Sequence, residues 1–102
     1  TTLLSLREGF AANADAWTGQ RVTVRAQFMS ATRVGGTLNN VSLVVNREDY
    51  AEDRLRHSMM CAFGEDAPEE VDLMQYAEVT VRGTVVERFG RAGLDDCEIV
   101  TE

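Results

Sequence analysis

The sequence predicts a mainly β domain, a closed barrel of five strands with one helix added at the N-terminus. Three observations carry this expectation. Apolar and polar residues alternate with a period of two through several short segments that are separated by turns, two of them rich in glycine. Helical spacing is confined to the start of the chain and to one acidic segment in its second half. The tetrapeptide VTVR opens two of the alternating segments, at Val22 and at Val79.

The elements follow in order. Leu3, Leu4, Leu6, Phe10, Ala14 and Trp17 recur at roughly helical spacing, so an amphipathic helix is expected from about Leu3 to Ala14, ended by Thr18-Gly19. From Gln20 the period becomes two, with Val22, Val24, Ala26 and Phe28 on one face and Thr23, Arg25, Gln27 and Met29 on the other. Gly35-Gly36 marks a turn, and Thr37 to Val45 reads as the returning strand. The charged stretch NREDYAEDRLRH reads as a loop with one helical turn. SMMCAF reads as a third strand, with Met59, Cys61 and Phe63 on one face. In EDAPEEVDLMQY, Pro68 suits a first helical turn, acids favour the positive end of a helix dipole, and Val71, Leu73 and Met74 give an apolar side. Ala77 to Glu87 is a strand again, RFGRAG a hairpin turn, and LDDCEIV a closing strand with Cys97 and Ile99 inward.

The order helix, then β-β-β-α-β-β, is that of a five-stranded OB-fold barrel preceded by an added helix. Residues 1–18 are expected to form the helix packed on the barrel and 19–102 the barrel itself. In that barrel the first and fourth strands pair, so the two VTVR segments are expected to be two solutions of one packing problem rather than a duplication. Arg25 and Arg82 are then expected to point to solvent on adjacent strands, with the small residues Ala26 and Gly83 where the sheet coils tightly.

Composition narrows the function. At 102 residues and 44% hydrophobic, the chain suits one compact core. No apolar run is long enough to span a bilayer as a helix. The chain opens on Thr1 rather than a methionine, which leaves room for a leader, a tag or a further domain upstream. Seventeen acids against ten basic residues, all arginine, give a net charge of -7. That field repels phosphate backbones unless the arginines cluster. Cys61 and Cys97 are the only cysteines and His57 the only histidine, so no ordinary zinc site can be assembled.

A tryptophan followed by GQRVTVRAQF, then MMCAF, then a helix leading into AEVTVRGTV, and finally GLDDCEIV resembles the bacterial OB-fold family called tRNA_anti-like, over about Ala14 to Val100. The two cysteines, one in the third strand and one in the closing DDC segment, are its most specific marks. Ala26, where a glycine is expected, and the acidic insertion from Arg47 to Arg56 depart from the pattern. The resemblance implies an OB fold and an exported or membrane-associated setting.

An OB-fold commonly binds on the face of strands two and three, flanked by the loops after strands one and four. The outward residues expected on that face are Asn40, Ser42, Val44, Ser58 and Met60, none aromatic and none basic. The flanking loops offer Arg33 on one side and Arg88, Phe89 and Arg91 on the other, three guanidinium groups and one stacking ring. Against this stands the ordinary use of arginine to solubilise hairpin tips, with Phe89 packed against the barrel end. Glu48, Asp49, Glu52 and Asp53 read as a solvated helical turn rather than a metal site. Cys61 and Cys97 both face inward and are either two buried thiols or a cross-strand disulfide; a disulfide would favour the cell envelope or a secreted setting over the cytoplasm. His57 reads as a strand-end histidine. Met29, Met59, Met60 and Met74 read as core packing. Trp17 either plugs the barrel end or seats the helix on it.

The expectation is therefore a non-enzymatic binding or adaptor module without cofactor or metal, for a protein or a cationic small molecule. The alternative is single-stranded nucleic acid held by the loops after strands one and four. Homodimerisation through an exposed strand edge stays open.

Overall fold

A computed structural model describes residues 1–64, 67–68 and 71–100. Five strands, β1 (Arg21–Val34), β2 (Thr37–Val44), β3 (Ser58–Phe63), β4 (Glu78–Arg88) and β5 (Arg91–Ile99), close into a barrel in the order β1-β2-β3-β5-β4. Neighbours are antiparallel except β3 and β5, which run parallel. The chain is thus mainly β, with an OB-like barrel and an N-terminal helix, as its alternation and element order predict.

The two VTVR segments lie side by side. In the antiparallel register of β1 and β4, Val22 faces Gly83, Thr23 faces Arg82, Val24 faces Val81, Arg25 faces Thr80 and Ala26 faces Val79. A half-turn about the Val24–Val81 pair therefore exchanges one segment with the other. Val24, Ala26, Val79 and Val81 are buried in the core, and Arg25 and Arg82 are exposed. Gly83 is required by close approach, since a Cβ built there would lie 2.8 Å from Cys97 Sγ and 3.0 Å from Leu94 Cβ.

The N-terminal helix α1 (Leu3–Ala12) starts at Thr2, whose hydroxyl accepts from the Ser5 N–H. It ends at Ala12, two residues before the expected Ala14, and Asn13 then caps the short helix α2 (Ala14–Trp17) by accepting from the Ala16 N–H. Leu3, Leu6 and Phe10 are buried together with Val24, Leu43, Cys61 and Leu94 in one core cluster, so α1 lies against β1 and β5 as part of that core. Trp17 seats the helix. Its indole lies against Gly9, where an added Cβ would be 2.7 Å from the ring.

The second helix differs from expectation. Within EDAPEEVDLMQY, Ala67, Pro68 and 71–76 hold no helix, while Glu65, Asp66, Glu69 and Glu70 lie outside the described residues. Val71 and Leu73 pack half-buried against the core from an irregular backbone, and Met74 is exposed. Val71 and Leu73 thus give part of the apolar cover expected from this segment, and Leu3, Leu6 and Phe10 of α1 belong to the same core. The remaining helix, α3 (Arg47–Glu52), is the single turn expected in the charged stretch; Asn46 caps it through the Asp49 N–H and carboxylate.

Cys61 and Cys97 form a disulfide between β3 and β5, with Cα atoms 6.0 Å apart. It crosses the parallel seam, where the registered partners are Cys61 with Leu94 and Phe63 with Cys97.

Candidate functional site beneath the β4–β5 hairpin

The hairpin between β4 and β5 is tighter than the sequence suggested. Arg88 and Arg91 are directly opposite one another as the last and first residues of their strands, which leaves Phe89-Gly90 as a two-residue turn. Such turns favour positive φ at both central positions, hence asparagine, aspartate or glycine first. Here φ is 53° at Phe89 and 78° at Gly90. A phenylalanine held in the left-handed region costs roughly 1–2 kcal/mol. No burial offsets that cost, because Phe89 is 92% exposed.

Arg88 and Arg91 add a second unfavourable feature, since like charges directly opposite in a sheet repel. Arg88 resolves part of it by lying back across Gly93, where a Cβ would come within 2.9 Å of Arg88 Cδ, so that its Nη2 donates to the Asp95 carboxylate. Its Nε is buried and has no hydrogen-bond partner. A buried unpaired N–H is costly, so this arrangement of Arg88 is a further unfavourable feature of the hairpin.

A third guanidinium arrives from α1. Arg7 Nη1 donates to the Ser58 carbonyl at the start of β3. The Arg7 pKa is lowered, chiefly by burial and then by the positive charge of Arg91, against an opposing contribution from Asp53. Arg7, Arg88 and Arg91 line one concavity of about 190 Å³, whose floor includes Ser42, Ser58 and Met60 on β2 and β3. Leu55, Met60 and Phe89, three of the exposed large hydrophobic residues, stand around it.

The structure therefore brings together Arg88, Phe89 and Arg91 but leaves Arg33 apart. Arg33 belongs to β1 opposite Leu38, in the hairpin that turns at Gly35-Gly36, and it is not among the residues lining this concavity. Of the five residues expected on the outward face, Ser42, Ser58 and Met60 do line it. Asn40 and Val44 are buried instead, because β2 is covered on both faces: Asn40 and Val41 are buried consecutively, as are Leu43 and Val44. Met60 is correspondingly exposed rather than core, whereas Met59 is buried.

Arg7 and Leu55 were not singled out from the sequence, although Arg7 carried a signal. Positions 3, 6, 7 and 10 make up one helical stripe, and Arg7 is the charged member among Leu3, Leu6 and Phe10. A guanidinium on a core-facing stripe needs a partner, and here the partner is the barrel end.

Other candidates offer less. Among the described residues, no three His, Cys, Asp or Glu side chains are grouped to hold a metal ion. Asp49 is held by Asn46, Arg56 N–H donates to Asp53, and His57 Nδ1 lies 2.9 Å from the Asp53 carbonyl oxygen, so these groups mainly organise the turn around α3. A wider concavity of about 490 Å³ runs past Arg25, Leu73, Glu78 and Ile99, with one cation and one anion rather than a convergent set. No helix among the described residues is long and apolar enough to cross a membrane. Comparison with protein-family models and with curated protein sequences finds no match.

Proposed function

We propose that the protein is a non-enzymatic OB-fold binding module that engages a protein partner at the concavity where Ser42 of β2 meets Ser58 and Met60 of β3, beneath the Phe89-Gly90 hairpin. One observation carries this reading: Phe89 holds a left-handed backbone at the tip of a tight turn and is 92% exposed. An asparagine there would relieve the backbone and improve solubility, so the ring contributes nothing visible to the fold and is placed to meet something outside it. Exposed aromatic and arginine residues around a small pocket are also what protein-interface anchors are made of.

The cationic small molecule expected from the net charge would meet three guanidinium groups at this site, so the protein partner is the reading carried forward. The volume also speaks against a free small ligand, because about 190 Å³ lies below the roughly 300–1,000 Å³ of drug-sized pockets. Membership of the tRNA_anti-like family belongs to the same proposal and is supported by the closed barrel with Cys61 in β3 and Cys97 in β5. The disulfide likewise supports a cell-envelope or secreted setting.

The second reading, single-stranded nucleic acid, is favoured by the ring of Phe89 flanked by Arg88 and Arg91. A fluorescence-anisotropy titration with labelled single-stranded DNA and RNA, at low and moderate salt, separates the two. The protein-partner reading expects no salt-sensitive association at micromolar protein. Association that falls steeply with salt and is lost on combined replacement of Arg33, Arg88 and Arg91 would replace it with the nucleic-acid reading.

A further inference from the structure

We infer that the partner is recognised through an acidic side chain next to an aromatic or aliphatic one on an extended peptide segment, the carboxylate entering among Arg7, Arg88 and Arg91 and its neighbour resting on Phe89, Met60 and Leu55. This rests on the binding-module reading above. The charge pattern is the first argument. A chain of net charge -7 repels polyanions at a distance, so a ligand with one or two acids is accepted where a long phosphate backbone is opposed. Against that background Arg7 and Arg91 bring two cations to the concavity beside Arg88, whose charge is shared with Asp95.

The second argument is preorganisation. Arg88 is held by the Asp95 carboxylate through Nη2, so its part-exposed guanidinium is oriented in advance and meeting a ligand carboxylate loses little further side-chain freedom. Arg7, anchored on the Ser58 carbonyl, is likewise held in place.

Size is the third argument. A concavity of about 190 Å³ seats one side chain rather than a whole ligand, and the exposed apolar residues at its rim extend the contact to a neighbouring residue of the same segment. An apolar anchor beside a desolvated charge is the arrangement in which few residues supply most of the affinity.

Two selections run in parallel on the immobilised full chain test this, one from a random dodecapeptide library and one from a random single-stranded DNA pool. Enriched peptides are expected to carry Asp or Glu beside an aromatic or aliphatic residue. Their affinity by anisotropy is expected to fall at least tenfold when the acid is changed to its amide, and at least tenfold with Phe89→Asn or Arg88→Met. Peptides that bind equally well as amides, or DNA alone enriched and lost with Phe89→Asn, would overturn the acidic-peptide assignment while leaving the site in place. No enrichment in either pool, or ligands indifferent to both substitutions, would overturn the assignment and the site together.

Discussion

Val24 and Val81 face each other across β1 and β4, both fully buried, at the centre of a local two-fold relation that superposes one VTVR segment on the other. The same four residues recur because each strand meets the other in the same environment, with valines inward and a threonine opposite an arginine outside. Arg82 Nε donates to Thr23 Oγ1 and its Nη1 to Glu98, so one half of this outer pattern is visibly bonded. Such exposed pairs add little stability. The valine pair is where the energy lies.

Val24→Ala and Val81→Ala are each expected to cost about 2 kcal/mol from lost burial and partial cavity formation. Because the two residues are direct cross-strand partners, the double variant should depart from additivity by about 0.5 kcal/mol or more. Urea unfolding of the four proteins in the cycle checks both numbers. Strict additivity would mean that the two side chains do not share one packing site.

Gly83→Ala is expected to destabilise by about 1–3 kcal/mol, because the new methyl meets Cys97 Sγ, Leu94 Cβ and the Asp95 carbonyl at once. The disulfide prevents Cys97 from moving aside. Thermal unfolding should show the loss, and the same substitution in a Cys61→Ala, Cys97→Ala background should cost less.

The disulfide joins residues 36 apart in sequence, for which the chain-entropy account gives about 4 kcal/mol. Thiol counting in denaturant without reductant should find no free thiol, and reduction should expose two and lower the urea midpoint. Two thiols found before reduction would remove the argument for an oxidising compartment.

Two substitutions should separate stability from binding. Phe89→Asn places a residue suited to the left-handed region in the turn and is expected to leave stability unchanged or raise it by about 1 kcal/mol. Arg7→Met keeps the apolar stem while removing a partly desolvated charge, so stability should stay within about 1 kcal/mol of the parent. Denaturant midpoints check both. A large loss in either would make these residues structural and remove the reason to assign them to a ligand.

The fold was legible because alternation is a strong signal where one face of a strand is buried, as in Val22 to Phe28 and Val79 to Val85. The site was legible in part. Arg88, Phe89 and Arg91 are close in sequence and share a hairpin, so local pattern finds them. Arg7 reaches the same place only through the docking of α1 on the barrel, a tertiary relation that helical spacing hints at but does not specify. Loop geometry general to OB barrels groups Arg33 with them, whereas β1 runs on through register shifts after Phe28 and Thr32 to Val34, which leaves Arg33 in the strand opposite Leu38. The acidic segment after β3 has the composition of a helix start, but its described part is irregular, and Val71 and Leu73 reach the core from that backbone.

The most direct test of the central claim is to map, by amide chemical-shift changes, where a selected acidic peptide touches the isotope-labelled protein. The account predicts shifts concentrated at Ser58–Met60 and Arg88–Gly93, with Arg7 side-chain signals moving in step, and their disappearance in Phe89→Asn. Shifts centred instead on the Arg25, Glu78 and Ile99 concavity, or unchanged by Phe89→Asn, would contradict it.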